Sequence, residues 1–150
     1  MKKSLRRDAF TLIEVLIVVI IMAVLAATII PQFSSSTKDA KESSLKFNLH
    51  TIRSQIEMYK AHHLNDVPTV ANFDVQMTEK SDINGTQTGE LLYGPYVQGE
   101  IPENPFNNSN TVVAVAAEGT EPTAVVAGGA GWQYDQSTGD FYPNNSEWYE

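Results

Sequence analysis

The chain has 150 residues, 42% hydrophobic and 19% charged, enough for one small domain plus an anchor and too few for two full cores. Its formal charge of -8 is unevenly spread: Lys2, Lys3, Arg6 and Arg7 open the chain, whereas from Asn65 onward Lys80 is the only base among thirteen acids. That balance argues against nucleic acid as a partner, and the absence of cysteine excludes disulfide staples.

Residues 1–9, MKKSLRRDA, are basic and lack hydrophobic periodicity, as a targeting leader does. Residues 10–31 read FTLIEVLIVVIIMAVLAATIIP and are apolar apart from Thr11, Glu14 and Thr28. As a helix this run is roughly 30 Å long, the hydrocarbon thickness of a bilayer. The bases ahead of it keep the leader cytoplasmic and place the acidic remainder across the membrane. Glu14 is the oddity, because an ionisable side chain within a span is costly and calls for a partner. Secretory cleavage at Val24-Leu25-Ala26 is the conventional alternative; Glu14 and the helical pattern that continues past Pro31 weigh against it.

Beyond the polar stretch Gln32 to Thr37, Leu45, Leu49, Ile52, Ile56 and Tyr59 recur at spacings of four, three, four and three. This is the stripe of a helix lying on a core, with Lys41, Glu42, Lys46, Arg53, Glu57 and Lys60 on the solvent side. Joined to the apolar run it predicts one helix from Phe10 to about His63, roughly 80 Å long at 1.5 Å per residue, with 10–31 in lipid and 32–63 half-buried on a domain. Pro31 lies inside that helix, where it removes one backbone bond and crowds the carbonyl of Ala27. The expectation is a kink or local melting; the alternative is that Pro31 ends a membrane helix at the interface.

Residues 64–150 form the extracytoplasmic globular region. Val70, Phe73 and Met77 predict a short helix after Pro68, with Thr69 as a cap. Asn84-Gly85 is a turn signal, and Ile101-Pro102-Glu103-Asn104-Pro105-Phe106 is an extended crossing that buries Ile101 and Phe106. Thr111 to Ala117 and Thr123 to Ala127 read as strands joined by a hairpin over Glu118 to Pro122. Trp132 to Asp135 and Asp140 to Tyr142 flank a second hairpin, with Gly139 placed for a positive φ. Four strands in two hairpins make a small antiparallel sheet, whose natural partner is the amphipathic half of the helix. The fold class expected is therefore α+β.

With these residues in view, the chain resembles the type IV pilin and type II secretion pseudopilin superfamily. The likeness is strongest where a basic leader meets Ala9, then Phe10, an aliphatic run with Glu14 as its fifth residue, and Pro31. It implies a pilin-like fold: a long N-terminal helix packed on a small C-terminal antiparallel sheet. It also implies cleavage between Ala9 and Phe10 by a prepilin peptidase, N-methylation of Phe10, and pairing of Glu14 with the Phe10 amine of a neighbouring subunit. The family usually has glycine where Ala9 stands. Pairing of Phe10 and Glu14 within one chain remains open by spacing alone.

Within the superfamily, Gly94-Pro95-Tyr96, Ile101-Pro102 and Asn104-Pro105-Phe106 are similar to the Gly-Pro-Tyr, Ile-Pro and Asp-Pro-Trp phrase of the major pseudopilins. Gly131 to Asp135, followed by Ser137, Gly139 and Asp140, is similar to their C-terminal strand and loop. The resemblance implies a homo-oligomeric helical filament, built from inner-membrane subunits by an assembly platform with other pseudopilins, whose globular regions stand in the periplasm. It also implies calcium in the C-terminal loop, for which Asp135, Ser137 and Asp140 are the candidate oxygen ligands. The acidic glycine-rich residues expected after them are absent, and Phe141-Tyr142-Pro143 stands there, so an ordinary hairpin turn is the plainer reading.

His62, His63 and Asp66 form a second candidate metal group, but adjacent histidines point to different helix faces, and histidines favoured by a helix C-terminus are the simpler account. His50 is expected to be exposed. No nucleophilic triad, phosphate loop or catalytic carboxylate pair is legible, so no enzyme is expected. The function expected is a structural subunit of a type II secretion pseudopilus. The alternatives are a type IV pilus subunit, for motility, adhesion or DNA uptake, and a membrane-tethered binding module that does not polymerise.

Overall fold

A computed structural model describes residues 10–145, and of residues 30–35 the backbone alone. Helix α1 runs over Leu12–His62 without interruption, so Pro31 neither melts it nor ends it. The chain divides into two compact units, one ending at Ala40 and the other beginning at Lys41. In the first, Leu12–Ile29 is long and apolar enough to cross a membrane and has none of its residues buried.

The second unit is organised by the stripe read from the sequence. Leu45, Ile52, Ile56 and Tyr59 are buried, with Leu49 half-buried beside them, and they pack in one core with Phe73, Met77, Ile101, Trp132, Tyr134 and Phe141. After α1 a single 3-10 turn, Val70–Asn72, leads into helix α2, Phe73–Thr78, in the place that the Val70, Phe73 and Met77 spacing predicts. Thr69 precedes the turn in extended backbone, but its side chain makes no capping bond.

Among the described residues three short strands follow: β1 over Val112–Ala114, β2 over Trp132–Asp135 and β3 over Asp140–Pro143, in the order β1-β2-β3. The second predicted hairpin forms, with Asp135 opposite Asp140 and Gly139 at φ 88°. The first does not. Val112 pairs with Trp132 in a parallel ladder, and residues 123–127 form no strand, so the sheet is mixed and three-stranded rather than four-stranded and antiparallel. The reason lies in Asn144, whose side chain takes up the polar backbone of Val126 and thereby replaces a strand partner.

Two side chains tie the connections down. Asn104, fully buried, donates to the Gly131 carbonyl at 2.8 Å and accepts from Phe106 N at 3.0 Å, fixing the proline-stiffened crossing to the start of β2. Gly131 permits this approach, since a Cβ there would overlap the Ser109 carbonyl. Arg53, read as a solvent residue, donates through Nε to the Phe141 carbonyl at 2.9 Å and lies over the Tyr142 ring.

Candidate functional site

The start of α1 carries the polar groups of an otherwise apolar segment. Thr11 is followed three residues later by Glu14, and the two bond reciprocally. Glu14 Oε2 accepts from Thr11 N at 2.8 Å and from Thr11 Oγ1 at 2.7 Å, while Glu14 N donates to Thr11 Oγ1 at 3.3 Å. This is a capping box, in which a threonine and a glutamate satisfy donors that the first helical turn would leave unpaired. The T-x-x-E pattern ahead of an apolar run is the sequence signal for such a box. Phe10 beside it is 86% exposed. Ala9 lies outside the described residues, as do the side-chain surroundings of Pro31.

At the other candidate site, the β2–β3 turn, the donor set does not fit calcium. Asp135 is 1% exposed. Its Oδ1 accepts from Ser137 N at 2.8 Å and Ser137 Oγ at 2.6 Å, and its Oδ2 from Gly119 N at 2.5 Å. Gly139 N donates to the Asp135 carbonyl at 2.8 Å, closing the turn. Burial pushes the Asp135 carboxyl up, but the combined donation from Ser137 and Gly119 outweighs it and holds the group below its ordinary value. Calcium takes six to eight oxygens. Here the one buried carboxylate is occupied by the protein's own N–H and O–H groups, and Asp140 and Ser137 are exposed. Among the described residues no three His, Cys, Asp or Glu side chains gather as a metal would need, which also removes His62, His63 and Asp66 as a group.

The two histidines have a structural place that sequence reasoning missed. His63 is 1% exposed; Nδ1 donates to the Tyr59 carbonyl at 2.8 Å, and Nε2 meets Ser81 Oγ at 3.0 Å. The ring stacks on Tyr59, their centroids 3.8 Å apart. His62 meets the Tyr96 hydroxyl at 3.1 Å and stacks against Tyr93. These contacts weld the end of α1 to the Tyr93-Gly94-Pro95-Tyr96 segment, and Gly94 is needed there because a Cβ would sit 2.6 Å from the Glu79 carbonyl.

Comparison with known proteins finds relatives over much of the chain. The family described as the prokaryotic N-terminal methylation motif matches residues 5–30, which include Phe10 and Glu14. The type II secretion system core protein G of Pseudomonas aeruginosa is 38% identical over 114 residues, covering 76% of this chain and 78% of that protein. The chain belongs to the type II secretion core protein G family, the major pseudopilins. The proteins of that name from Vibrio cholerae and Aeromonas hydrophila are 23% and 21% identical, over 80% and 69% of this chain and 80% and 70% of their own lengths. No solved structure matches significantly.

The α+β arrangement of a long apolar helix and a small sheet is that expected of a pseudopilin. Membership of the family also gives the opening of α1 its context: the methylation motif spans the point where the capping box begins an otherwise lipid-compatible helix.

Proposed function

We infer that this chain is a structural subunit of the type II secretion pseudopilus, anchored in a membrane by α1 and then built into a filament. The observation that carries the reading is the joint match: the methylation motif over residues 5–30 and 38% identity to a core protein G over most of both chains. Physically, a helix with no buried residue from Leu12 to Ile29 must be covered by lipid or by other helices, and a filament core offers the second environment. Packing would supply the free energy of assembly, and the chain itself catalyses nothing.

The processing and assembly roles are part of the same proposal. A prepilin peptidase cuts between Ala9 and Phe10 and methylates the new amine. The exposure of Phe10 supports access to that bond. Glu14 then pairs with the Phe10 amine of a neighbouring subunit. Both bonds from Thr11 fall on Oε2, and among the described residues no donor reaches Oε1, so the capping box leaves one carboxylate oxygen for an incoming ammonium. The globular unit stands in the periplasm, and the assembly platform and other pseudopilins are the partners.

Intact-mass and tandem mass spectrometry of the protein from its native membrane test the reading. The expected N-terminus is N-methylated Phe10. A chain retaining Met1 and failing to co-purify with sheared filaments would instead be a tethered module.

A further inference from the structure

The two edges of the sheet are treated differently. The outer side of β3 is met by α1, where Arg53 donates to the Phe141 carbonyl. Among the described residues β1 pairs only with β2. The Thr111 carbonyl accepts from Trp132 N at 3.1 Å, and Val115 N donates to the Tyr134 carbonyl at 3.1 Å. By the alternation of a parallel ladder, Val113 between them also spends its N–H and C=O on β2. Val112 and Ala114 therefore turn theirs away from the sheet, and among the described residues no hydrogen-bond partner meets them there. Such an unpaired row is a template for another extended chain.

Val112 also lines a groove of about 450 Å³ together with Val70, Val75, Glu100 and Ile101. Its apolar part is buried Ile101 with half-buried Val70, Val75 and Val112; exposed Asp74 and Glu100 supply two carboxylates. A lining of mixed character, with apolar and acidic residues beside an open strand, suits an extended segment that alternates apolar and basic side chains.

We propose that the outer edge of β1 and this groove bind an extended, basic segment of another protein by strand addition. The apolar side chains of the segment rest on Val70, Val75 and Val112, its backbone bonds to Val112 and Ala114, and a lysine or arginine reaches Asp74 and Glu100. A second copy does not suit the site. Among the described residues the Lys and Arg of this chain lie on helix α1 except Lys80, whose neighbour Ser81 is already bridged to Tyr93. Among the described residues the bases of a second copy are thus helical where the edge needs a strand, and Lys2, Lys3, Arg6 and Arg7 precede the proposed cut after Ala9, so the occupant is a different polypeptide. The proposal rests on the pseudopilus reading only for its setting, a subunit that meets other secretion components; its geometry is independent of that reading.

The test is a fluorescence-anisotropy titration of the full chain, in non-ionic detergent micelles, with a labelled, end-blocked hexapeptide alternating valine and lysine. Saturable binding is expected, with none for the peptide carrying glutamate in place of lysine. Glu100→Lys should weaken binding about tenfold by reversing a contacting charge, and Ala114→Pro by a similar factor, because proline removes an outward N–H and leaves the ladder to β2 intact. Unchanged affinity in a folded Ala114→Pro chain would overturn strand addition, as would the absence of saturable binding. Should Ala114→Pro fail to fold, a peptide N-methylated along its hydrogen-bonding edge replaces it: lost binding supports the proposal and retained binding sinks it. Filament yield and N-methylation of Phe10 are scored in parallel, so a chain that assembles but binds no peptide loses this inference alone.

Discussion

The side-chain amide of Asn144 closes on the backbone of Val126 as a neighbouring strand would: Oδ1 accepts from Val126 N at 2.8 Å and Nδ2 donates to the Val126 carbonyl at 3.0 Å. The same amide donates to the Ala130 carbonyl at 2.9 Å and accepts from Gln133 Nε2 at 3.0 Å. With Asn144 only 2% exposed, one residue satisfies the turn of chain that leads back into β2.

Asn144→Ala should therefore cost about 1–3 kcal/mol, since truncation leaves both backbone groups of half-buried Val126 unpaired, while the Ala130 carbonyl keeps Asn107 Nδ2 and Gln133 Nε2 keeps the Ala124 carbonyl. Asn144→Asp should do no better than alanine, because it keeps an acceptor for Val126 N but turns a carboxylate on two carbonyls. Thermal unfolding followed by near-ultraviolet circular dichroism of the full chain in detergent checks both; an Asp variant as stable as the native chain would refute this account of the loop.

Asp135 makes stability depend on acid. Its folded value is depressed, so the stabilisation it gives is complete above the ordinary carboxylate value of about 4 and is lost as pH falls through the lower folded value. Asp135→Asn should be destabilised by about 1–3 kcal/mol at neutral pH, with the gap to the native chain closing under acid. Melting temperature measured down the acid limb reads this directly. Added calcium should leave the native melting temperature unchanged, because Ser137 and Gly119 already occupy the carboxylate; a calcium-dependent rise would contradict the self-satisfied turn.

What was legible in the sequence follows from where local rules and tertiary contacts agree. The stripe from Leu45 to Tyr59 and the turn at Gly139 depend on periodicity and on one backbone conformation, and both stand in the structure. Residues 123–127 carry β-branched side chains that suit a strand, but the amide of Asn144, distant in sequence, claims their backbone. His63 was unreadable for a similar reason: adjacent histidines at a helix end look solvated until Ser81 and Tyr93 are brought over them. At the other end, Thr11 and Glu14 were visible as a capping box, and only the prominence of a carboxylate in an apolar run hid it.

The buried ring of His63 bridges the end of α1 to the segment after α2. His63→Phe keeps the stack on Tyr59 and the backbone bond from residue 63 to the Tyr59 carbonyl, but it removes both bonds of the ring and leaves the buried Ser81 hydroxyl unpaired, so it should destabilise by about 1–3 kcal/mol. Ser81→Ala removes only the hydroxyl that meets Nε2, leaving the bond of Nδ1 in place, and should cost less. Denaturant midpoints for the two variants rank them, and the reverse order would mean that Ser81 rather than His63 anchors the joint.

Glu14 serves two ends that substitution can separate. As a cap it needs only an acceptor for Thr11 N, which a glutamine supplies; as the partner of a neighbouring Phe10 amine it needs a charge. Glu14→Gln should thus preserve the start of α1 yet reduce the yield of sheared filaments more than about tenfold, because an ammonium brought into an apolar core without a counter-charge is strongly disfavoured. Thr11→Val, which removes the hydroxyl but keeps the backbone N–H, should leave most of the yield intact. Immunoblots of filament fractions, normalised to membrane levels of each variant, make the comparison. If Glu14→Gln assembles like the native chain and Thr11→Val does not, the carboxylate matters as a helix cap and the intermolecular pair falls.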